Sequence, residues 1–293
     1  MPGAAGARKG AGRGAPVGVV PTIVFSHANG FPAGTYRLLF EAWRAAGYEV
    51  LALPKFGHDP AFPVSSNWPR LRDELVHFIE TQAPGRPVHL VGHSLGGYLS
   101  LLAACHRPDL GSSLVLIDSP VLTGWRAHSV QMAKAARLIG RVSPGKVSRT
   151  RRHIWPSAAD ALRHYAAKSV FARWQPEVLA DYIDCGIEPD PATGGARLAF
   201  SREVETKIYN TLPHHFGTLL HRHPPACPVV FIGGTRSAEV RQVGLAATKA
   251  LTRGQMHWIE GTHLFPMEKP AETAAAVLSV LAALPGDQLT AKQ

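Results

Sequence analysis

The sequence predicts an α/β fold: a mostly parallel sheet covered by helices on both faces, with an inserted α-helical segment near its middle. Three observations carry this. Short, almost wholly apolar runs alternate with stretches of helical periodicity, the pattern of strands buried on both faces. One run leads directly into a glycine-flanked serine and then a helix. Between about 121 and 225 the alternation lapses into helical patterns and turn-rich gaps.

Taken in order, Thr22-Ile23-Val24-Phe25 reads as a strand and is followed by turn-rich residues from Ser26 to Gly34. Tyr36 to Ala46 has Leu39, Phe40 and Trp43 at helical spacing and stops at Gly47. Glu49 to Leu53 is the next strand, closed by Pro54, and Trp68 to Thr81 is a helix with Leu71, Leu75, Phe78 and Ile79 on one stripe. Val88 to Val91 is a strand that enters Gly92-His93-Ser94-Leu95-Gly96-Gly97, with a helix onward to Ala104, and Leu114 to Ile117 is a further strand. Val229 to Ile232 and Met256 to Ile259 complete the strands, and a last helix runs from about Ala271 to Leu284. The interval between holds helical patterns at Val130–Ile139, Ala158–Ala167 and Glu177–Tyr182, separated by gaps such as Glu188–Pro191 and Thr193–Gly195. The expected organisation is a tail at 1–16, a core at 17–120 and 226–285, a helical lid at 121–225 and a short tail at 286–293.

At 293 residues, 45% apolar and 18% charged, the chain has the composition of a globular protein. No apolar run reaches the roughly 20 residues that cross a bilayer, so no membrane partner is expected. Met1 to Ala15 is Gly/Ala-rich with Arg8, Lys9 and Arg13 and lacks the apolar centre of a secretory signal. Cys105, Cys185 and Cys227 are far apart and odd in number, which fits a reducing cytoplasm rather than a disulfide framework. The net charge of +10 has a mid-chain contribution from Arg137, Arg141, Lys146, Arg149, Arg151 and Arg152, read as a solvated basic face. No zinc-finger spacing, aromatic RNA-binding motif or basic zipper accompanies it, so no nucleic-acid partner is expected. An anionic substrate drawn in by the cluster stays open.

The chemistry centres on Gly92-His93-Ser94-Leu95-Gly96 between a strand and a helix. A nucleophile at the tip of such a sharp turn crowds the residues two before and two after it, and glycine at both relieves the crowding. The same turn aims the Leu95 amide, at the start of the following helix, at a developing oxyanion. A serine hydroxyl needs a base, and of the fifteen histidines His263 is preferred, because Gly261-Thr262-His263-Leu264 follows the last strand at the same sheet edge. His93 is held beside the serine and cannot face it as a base. The pairs His214-His215 and His221/His223 lack a completing carboxylate or cysteine, so neither a metal nor another cofactor is expected.

These residues resemble the α/β-hydrolase family, over about Pro21 to Pro120 and Cys227 to Leu284. In that family a loop after an early strand often reads H-G-x-P. Ser26-His27-Ala28-Asn29-Gly30-Phe31-Pro32 is similar, with two extra residues before the glycine. Matching Gly30-Phe31-Pro32 implies that the Phe31 amide is the second oxyanion donor, whereas aligning on His27 moves that role to Asn29. His27 is then a brace for the loop more than a proton shuttle. Gly57-His58-Asp59 resembles the family's turn after the next strand. The family's usual acid follows the strand after the insertion, and here Phe231-Ile232-Gly233-Gly234-Thr235-Arg236-Ser237 contains none, with Glu239 slightly late. A subset of the fold carries its acid one strand after the nucleophile, and Asp118, 24 residues beyond Ser94, stands there. Asp118 is preferred because it lies at the strand end itself, and Glu239 is the alternative.

Ser94, His263 and an acid imply cleavage of a small-molecule carboxylic ester, or a related acyl bond, through an acyl-enzyme. Two alternatives remain: carbon–carbon bond hydrolysis of a ring-fission-type acid, whose carboxylate the basic lid would bind, and a binding module without turnover. His27, His93, Trp125 and Tyr209 are candidates for the pocket wall, in a lid that also carries Trp155, Phe171, Trp174 and Phe216.

Overall fold

The computed structural model describes residues 20–124, 129, 132 and 145–284. The first apolar run forms β1 (Thr22–Ser26), buried throughout. After a short 3₁₀ turn at Ala33–Tyr36 comes α1 (Arg37–Ala45), with Leu39, Phe40 and Trp43 as its buried stripe. There follow β2 (Glu49–Ala52), α2 (Pro69–Gln82), β3 (Val88–His93), α3 (Leu95–His106) and β4 (Gly111–Ile117). Pro69 opens α2, where its missing N–H would have had no helical partner. The next stretch holds α4 (Gly145–Thr150), β5 (Ile154–Trp155), α5 (Ala158–Ala166), α6 (Pro176–Gly186), β6 (Ile187–Pro189), β7 (Ala196–Leu198), α7 (Arg202–Asn210) and α8 (Phe216–Arg222). The chain then completes β8 (Val229–Gly234), α9 (Ala238–Val243), α10 (Ala246–Leu251), β9 (Met256–Ile259), α11 (Phe265–Glu268) and α12 (Pro270–Ala283).

The main sheet has the order β2-β1-β3-β4-β8-β9, and every neighbouring pair is parallel. Side chains alternate across a strand, so these apolar runs feed two cores at once. Ile23, Phe25, Val91, Val115 and Ile117 pack with the apolar stripes of α1 and α12, whereas Val24, Leu90, Leu114, Leu116 and Phe231 pack with α2 and α3. Trp43 is fully buried on the first side, and its Nε1 donates to the Ala274 carbonyl at 3.2 Å, joining α1 to α12. A parallel sheet puts all its strand C-termini at one edge. The loops after Ser26, His93, Ile117, Gly234 and Ile259 therefore open side by side.

The stretch from α4 to α8 lies between β4 and β8, which pair directly from Leu114↔Val229 onward. The expectation that it is wholly helical needs correction, because β5, β7 and β6 form a small antiparallel sheet within it. Its strands have two or three residues each, too few to display a period of two. The turn-rich gap before Gly195 is the hairpin between β6 and β7: Asp190 N–H donates to the Gly195 carbonyl and Gly194 N–H to the Asp190 carbonyl, both at 2.9 Å. Of the helix expected at 130–139 only Met132 is described, in helical conformation, and both expected tails lie outside the described residues.

This stretch is fastened to the loops of the sheet edge. Arg37 Nε meets Asp181 Oδ1 at 2.7 Å, Lys55 Nζ donates to the Ala199 carbonyl at 2.8 Å, and Trp68 Nε1 donates to the Ile208 carbonyl at 3.1 Å. The reading of the mid-chain cations as a solvated face fails at Arg151, which is largely buried and 3.0 Å from Glu205. The three cysteines are free thiols, and no helix among the described residues is long and apolar enough to cross a membrane. Replacing Trp43 by Ala empties a fully buried site and should cost about 3–5 kcal/mol, seen as a lower urea midpoint with an unchanged slope. A midpoint within error of the original would contradict this packing.

Candidate active site

Strand β3 runs straight into Ser94, whose backbone has φ 54° and ψ −115°. A positive φ at a non-glycine residue is strained, and such strain concentrates at functional turns. A Cβ on Gly92 would lie 2.3 Å from the Gly96 carbonyl, and one on Gly96 would lie 1.9 Å from the Ser26 carbonyl oxygen. No side chain fits at either position, which is the reason for both glycines. The turn is held by Ser94 N–H donating to the Ile117 carbonyl at 3.0 Å and by Ser119 Oγ donating to the Ser94 carbonyl at 2.9 Å.

His263, in the loop between β9 and α11, places Nε2 3.0 Å from Ser94 Oγ and Nδ1 2.6 Å from Asp118 Oδ2. Asp118 follows β4 immediately with φ 45°, and it is 1% exposed. Its Oδ1 accepts from the Gly234 N–H at 2.8 Å and its Oδ2 from Ser237 Oγ at 2.5 Å. A carboxylate already accepting from two donors is an acceptor toward His263 as well. Nδ1 therefore carries the imidazole proton, and Nε2 is left to accept from the serine hydroxyl. Glu239 Oε2 stands 3.7 Å from the same Nδ1 on a half-exposed side chain, beyond hydrogen-bond distance. The two acids considered from sequence thus flank one nitrogen, with Asp118 bonded to it. Burial lowers the His263 pKa, but the Asp118 hydrogen bond and the charges of Asp118 and Glu239 outweigh burial and leave it raised above 6.5. One ligand atom each of Asp118, Glu239 and His263 lie within 4.8 Å of one another. A cation there would have to displace the Asp118–His263 bond.

The Leu95 N–H opens α3 and has no intrahelical acceptor, so it is available at the positive end of the helix dipole. The other expected donor needs correction. Phe31 N–H donates to the Ala28 carbonyl at 3.1 Å, closing a turn in which Gly30 has φ +82°. An amide has one proton, and that of Phe31 is committed inside its own loop. Its ring packs on Trp174 and Tyr182, with centroids 5.6 and 5.7 Å away. For the Asn29 amide, the alternative, the described residues supply no backbone acceptor. Asn29 Nδ2 donates to the Glu205 carbonyl at 3.1 Å, and the Tyr209 hydroxyl is hydrogen-bonded to the Asn29 side chain.

His27 and His93 are corrected from pocket wall to buried support. His27 accepts the Phe56 N–H at Nε2 (3.0 Å) and donates from Nδ1 to the Ala28 carbonyl (2.8 Å), with burial lowering its pKa to about 4. His93 is 0% exposed, with Nδ1 2.8 Å from the Tyr36 hydroxyl and Nε2 2.9 Å from the His263 carbonyl. Trp125 lies outside the described residues. A cavity of about 980 Å³ is bordered by Pro228, Val229, Leu251, Gln255 and Val280, at the opposite ends of β8 and β9 from Ser94.

The sequence model of the alpha/beta hydrolase family matches residues 23–276, nearly the whole described chain. The chain belongs to the alpha/beta hydrolase family. Among curated relatives, monoglyceride lipase of Mus musculus is 33% identical over 136 residues, 44% of this chain and 45% of that protein, and a monoglyceride lipase homolog of Monkeypox virus is 30% identical over 44% of this chain and 49% of that one. These matches span about half the length of the relatives. Ethanol acetyltransferase 1 of Kluyveromyces lactis is 25% identical over 72% of this chain and 59% of its own. Among solved structures, E-2-(acetamidomethylene)succinate hydrolase superposes with a TM-score of 0.69 at 21% identity, covering 90% of this chain and 92% of that one. The thioesterase domain from the curacin biosynthetic pathway gives 0.65 at 19% identity, covering 88% and 90%. Both agree in fold.

Within this family member, Ser119, Ser237 and Tyr36 touch the site and were not singled out from sequence. Ser237 had a readable signal: it precedes a helix and caps it, accepting from the Val240 N–H. Tyr36 had none, because its partner His93 is distant in sequence, and the bond by which Ser119 reaches the site, to the Ser94 carbonyl, joins the ends of two different strands. Replacing Ser237 by Ala removes a helix cap and a donor to buried Asp118. It should lower stability by about 1–3 kcal/mol, measured as a drop in the thermal midpoint. An unchanged midpoint would contradict the double role.

Proposed function

We propose that this protein is a serine hydrolase that cleaves carboxylic esters through an acyl-enzyme on Ser94. The observation that carries the reading is the unbroken row from Ser94 Oγ to His263 Nε2 at 3.0 Å and from His263 Nδ1 to Asp118 at 2.6 Å. The monoglyceride lipases among its relatives, named for an ester cleavage, support the same bond type.

In this reading His263 Nε2 takes the Ser94 proton as Oγ attacks the ester carbonyl. The oxyanion is held by the Leu95 amide and, from the opposite loop, by the Asn29 amide. His263 then returns the proton to the leaving alcohol as the acyl–oxygen bond breaks. Water attacks the acyl-enzyme, gives its proton to the same nitrogen, and the acid departs as Ser94 is regenerated. Asp118 keeps the imidazole in the required tautomer and offsets its positive charge. Glu239 adds charge at longer range. The stretch between β4 and β8 acts as a lid, its α7 resting on the oxyanion loop through Asn29 and Glu205. The carbon–carbon alternative needs a free cation for a substrate carboxylate, and one described candidate, Arg151, pairs with Glu205 instead.

With p-nitrophenyl butyrate, wild type should turn over, and Ser94→Ala and His263→Ala should fall to background. Asp118→Asn should lose about 10³–10⁴-fold in kcat, and Glu239→Gln less than about tenfold. Equal rates for wild type and Ser94→Ala would overturn the proposal. A collapse confined to Glu239→Gln would move the acid.

The base must be neutral, so kcat/KM should fall as pH drops through the His263 pKa, with its midpoint above 6.5. Glu239→Gln removes a negative charge near the imidazolium and should move that midpoint to lower pH. An unmoved or upward-moving midpoint would show that Glu239 does not act on His263.

A further inference from the structure

A buried row of hydrogen bonds runs beneath the site, and the chemistry above makes no use of it. Ala28 N–H donates to the Tyr36 hydroxyl at 3.2 Å, the hydroxyl lies 2.8 Å from His93 Nδ1, and His93 Nε2 lies 2.9 Å from the His263 carbonyl. Its direction is fixed from one end. A carbonyl only accepts, so His93 Nε2 bears the proton and Nδ1 is an acceptor. The Tyr36 O–H must then donate to Nδ1, leaving an oxygen lone pair for the Ala28 N–H. Each member has the single role its neighbours require. Ala28, Tyr36 and His93 are 2%, 1% and 0% exposed, so no water competes for these bonds. The His93 ring is 5.0 Å from that of His263, and the Tyr36 ring is held 4.6 Å from Phe25 in β1.

The ends of the row meet the reacting groups. Ala28 immediately precedes Asn29, whose amide faces the oxyanion in the proposed function. His93 immediately precedes Ser94. The far carbonyl belongs to His263 itself. We propose that Tyr36 and His93 form a strut that sets the spacing between the oxyanion loop and the base loop across the nucleophile. They are positioning residues for the transition state, and this rests on the serine hydrolase reading. Oxyanion donors and a general base act only within a few tenths of an ångström of the right place. Without the strut, the Ala28 N–H and the His263 carbonyl lose their buried partners and the two loops can settle independently. Binding of the ground-state ester needs neither loop so closely. The burden therefore falls on kcat. Burial, together with the nearby His263, lowers the His93 pKa well below 6.5, which keeps the ring neutral and the row in one polarity.

The test uses Tyr36→Phe, which keeps the ring and removes only the hydroxyl, with His93→Leu and His93→Gln. Glutamine retains one donor and one acceptor, and leucine retains only bulk. Turnover of p-nitrophenyl butyrate is measured with the affinity for n-butylboronic acid, whose boron accepts the Ser94 Oγ lone pair while His263 takes the proton, giving a tetrahedral anion. Tyr36→Phe and His93→Leu should lower kcat about tenfold or more, leave KM within about twofold, and weaken boronate binding in proportion to kcat. His93→Gln should recover most of the loss. An unchanged kcat, a loss carried by KM alone, or glutamine no better than leucine would overturn the strut. Silence of the wild type toward both ester and boronate would count against the hydrolase reading instead. In that event ¹⁵N NMR of the imidazoles decides the strut: Nε2-protonated His93, and a shift of the His263 resonances on Tyr36→Phe, uphold it. Nδ1-protonated His93, or unmoved His263 resonances, overturn it.

Discussion

The buried carboxylate of Asp118 is the constraint on which the arrangement of the site depends. A carboxylate removed from water is tolerable only where donors surround it. Here the donors come from three places: the Gly234 amide at the end of β8, the Ser237 hydroxyl at the start of α9, and His263 Nδ1 in the loop after β9. Satisfying that one group draws the ends of β4 and β8 and the His263 loop to a common point. Ser94 is already there, because its own N–H is bonded to the Ile117 carbonyl, one residue before Asp118. The positive φ values of Ser94 and Asp118 are the local strain that this convergence requires.

The sheet explains why convergence is possible. All six of its strands deliver loops to one edge because all are parallel. The direct pairing of β4 with β8 brings Asp118 beside Gly234 despite the long stretch of chain between them. That stretch returns to the same edge, where α7 meets Asn29 and α6 meets Arg37. The loop from His27 to Pro32 is therefore braced from outside by the inserted stretch and from below by His27, Tyr36 and His93.

Much of this was legible in the sequence, and the reasons are local. The apolar runs announce strands buried on both faces. The glycines at 92 and 96 announce a close backbone approach that a side chain would block, and the distances to Gly96 and Ser26 bear that out. The candidate base and acid could be placed because parallel strands fix which loop ends meet. What sequence could not decide depends on contacts between distant residues. Whether Phe31 or Asn29 can offer its amide turns on one bond, from the Phe31 N–H back to the Ala28 carbonyl. Whether Asp118 or Glu239 bonds His263 turns on a difference between 2.6 and 3.7 Å at one nitrogen. His93 reads as a neighbour of the nucleophile, but its partners are Tyr36 and the His263 backbone, far away in the chain. The small sheet of β5, β6 and β7 was missed because two- and three-residue strands have no period to read.

The central claim is that Ser94 is a nucleophile made reactive by His263. It is tested most directly by treating the intact protein with a fluorophosphonate and locating the adduct by peptide mass spectrometry. The account predicts one adduct per chain, on Ser94, and labelling slowed by orders of magnitude in His263→Ala. An unlabelled protein, an adduct on another residue, or labelling of Ser94 that is indifferent to His263 would contradict it.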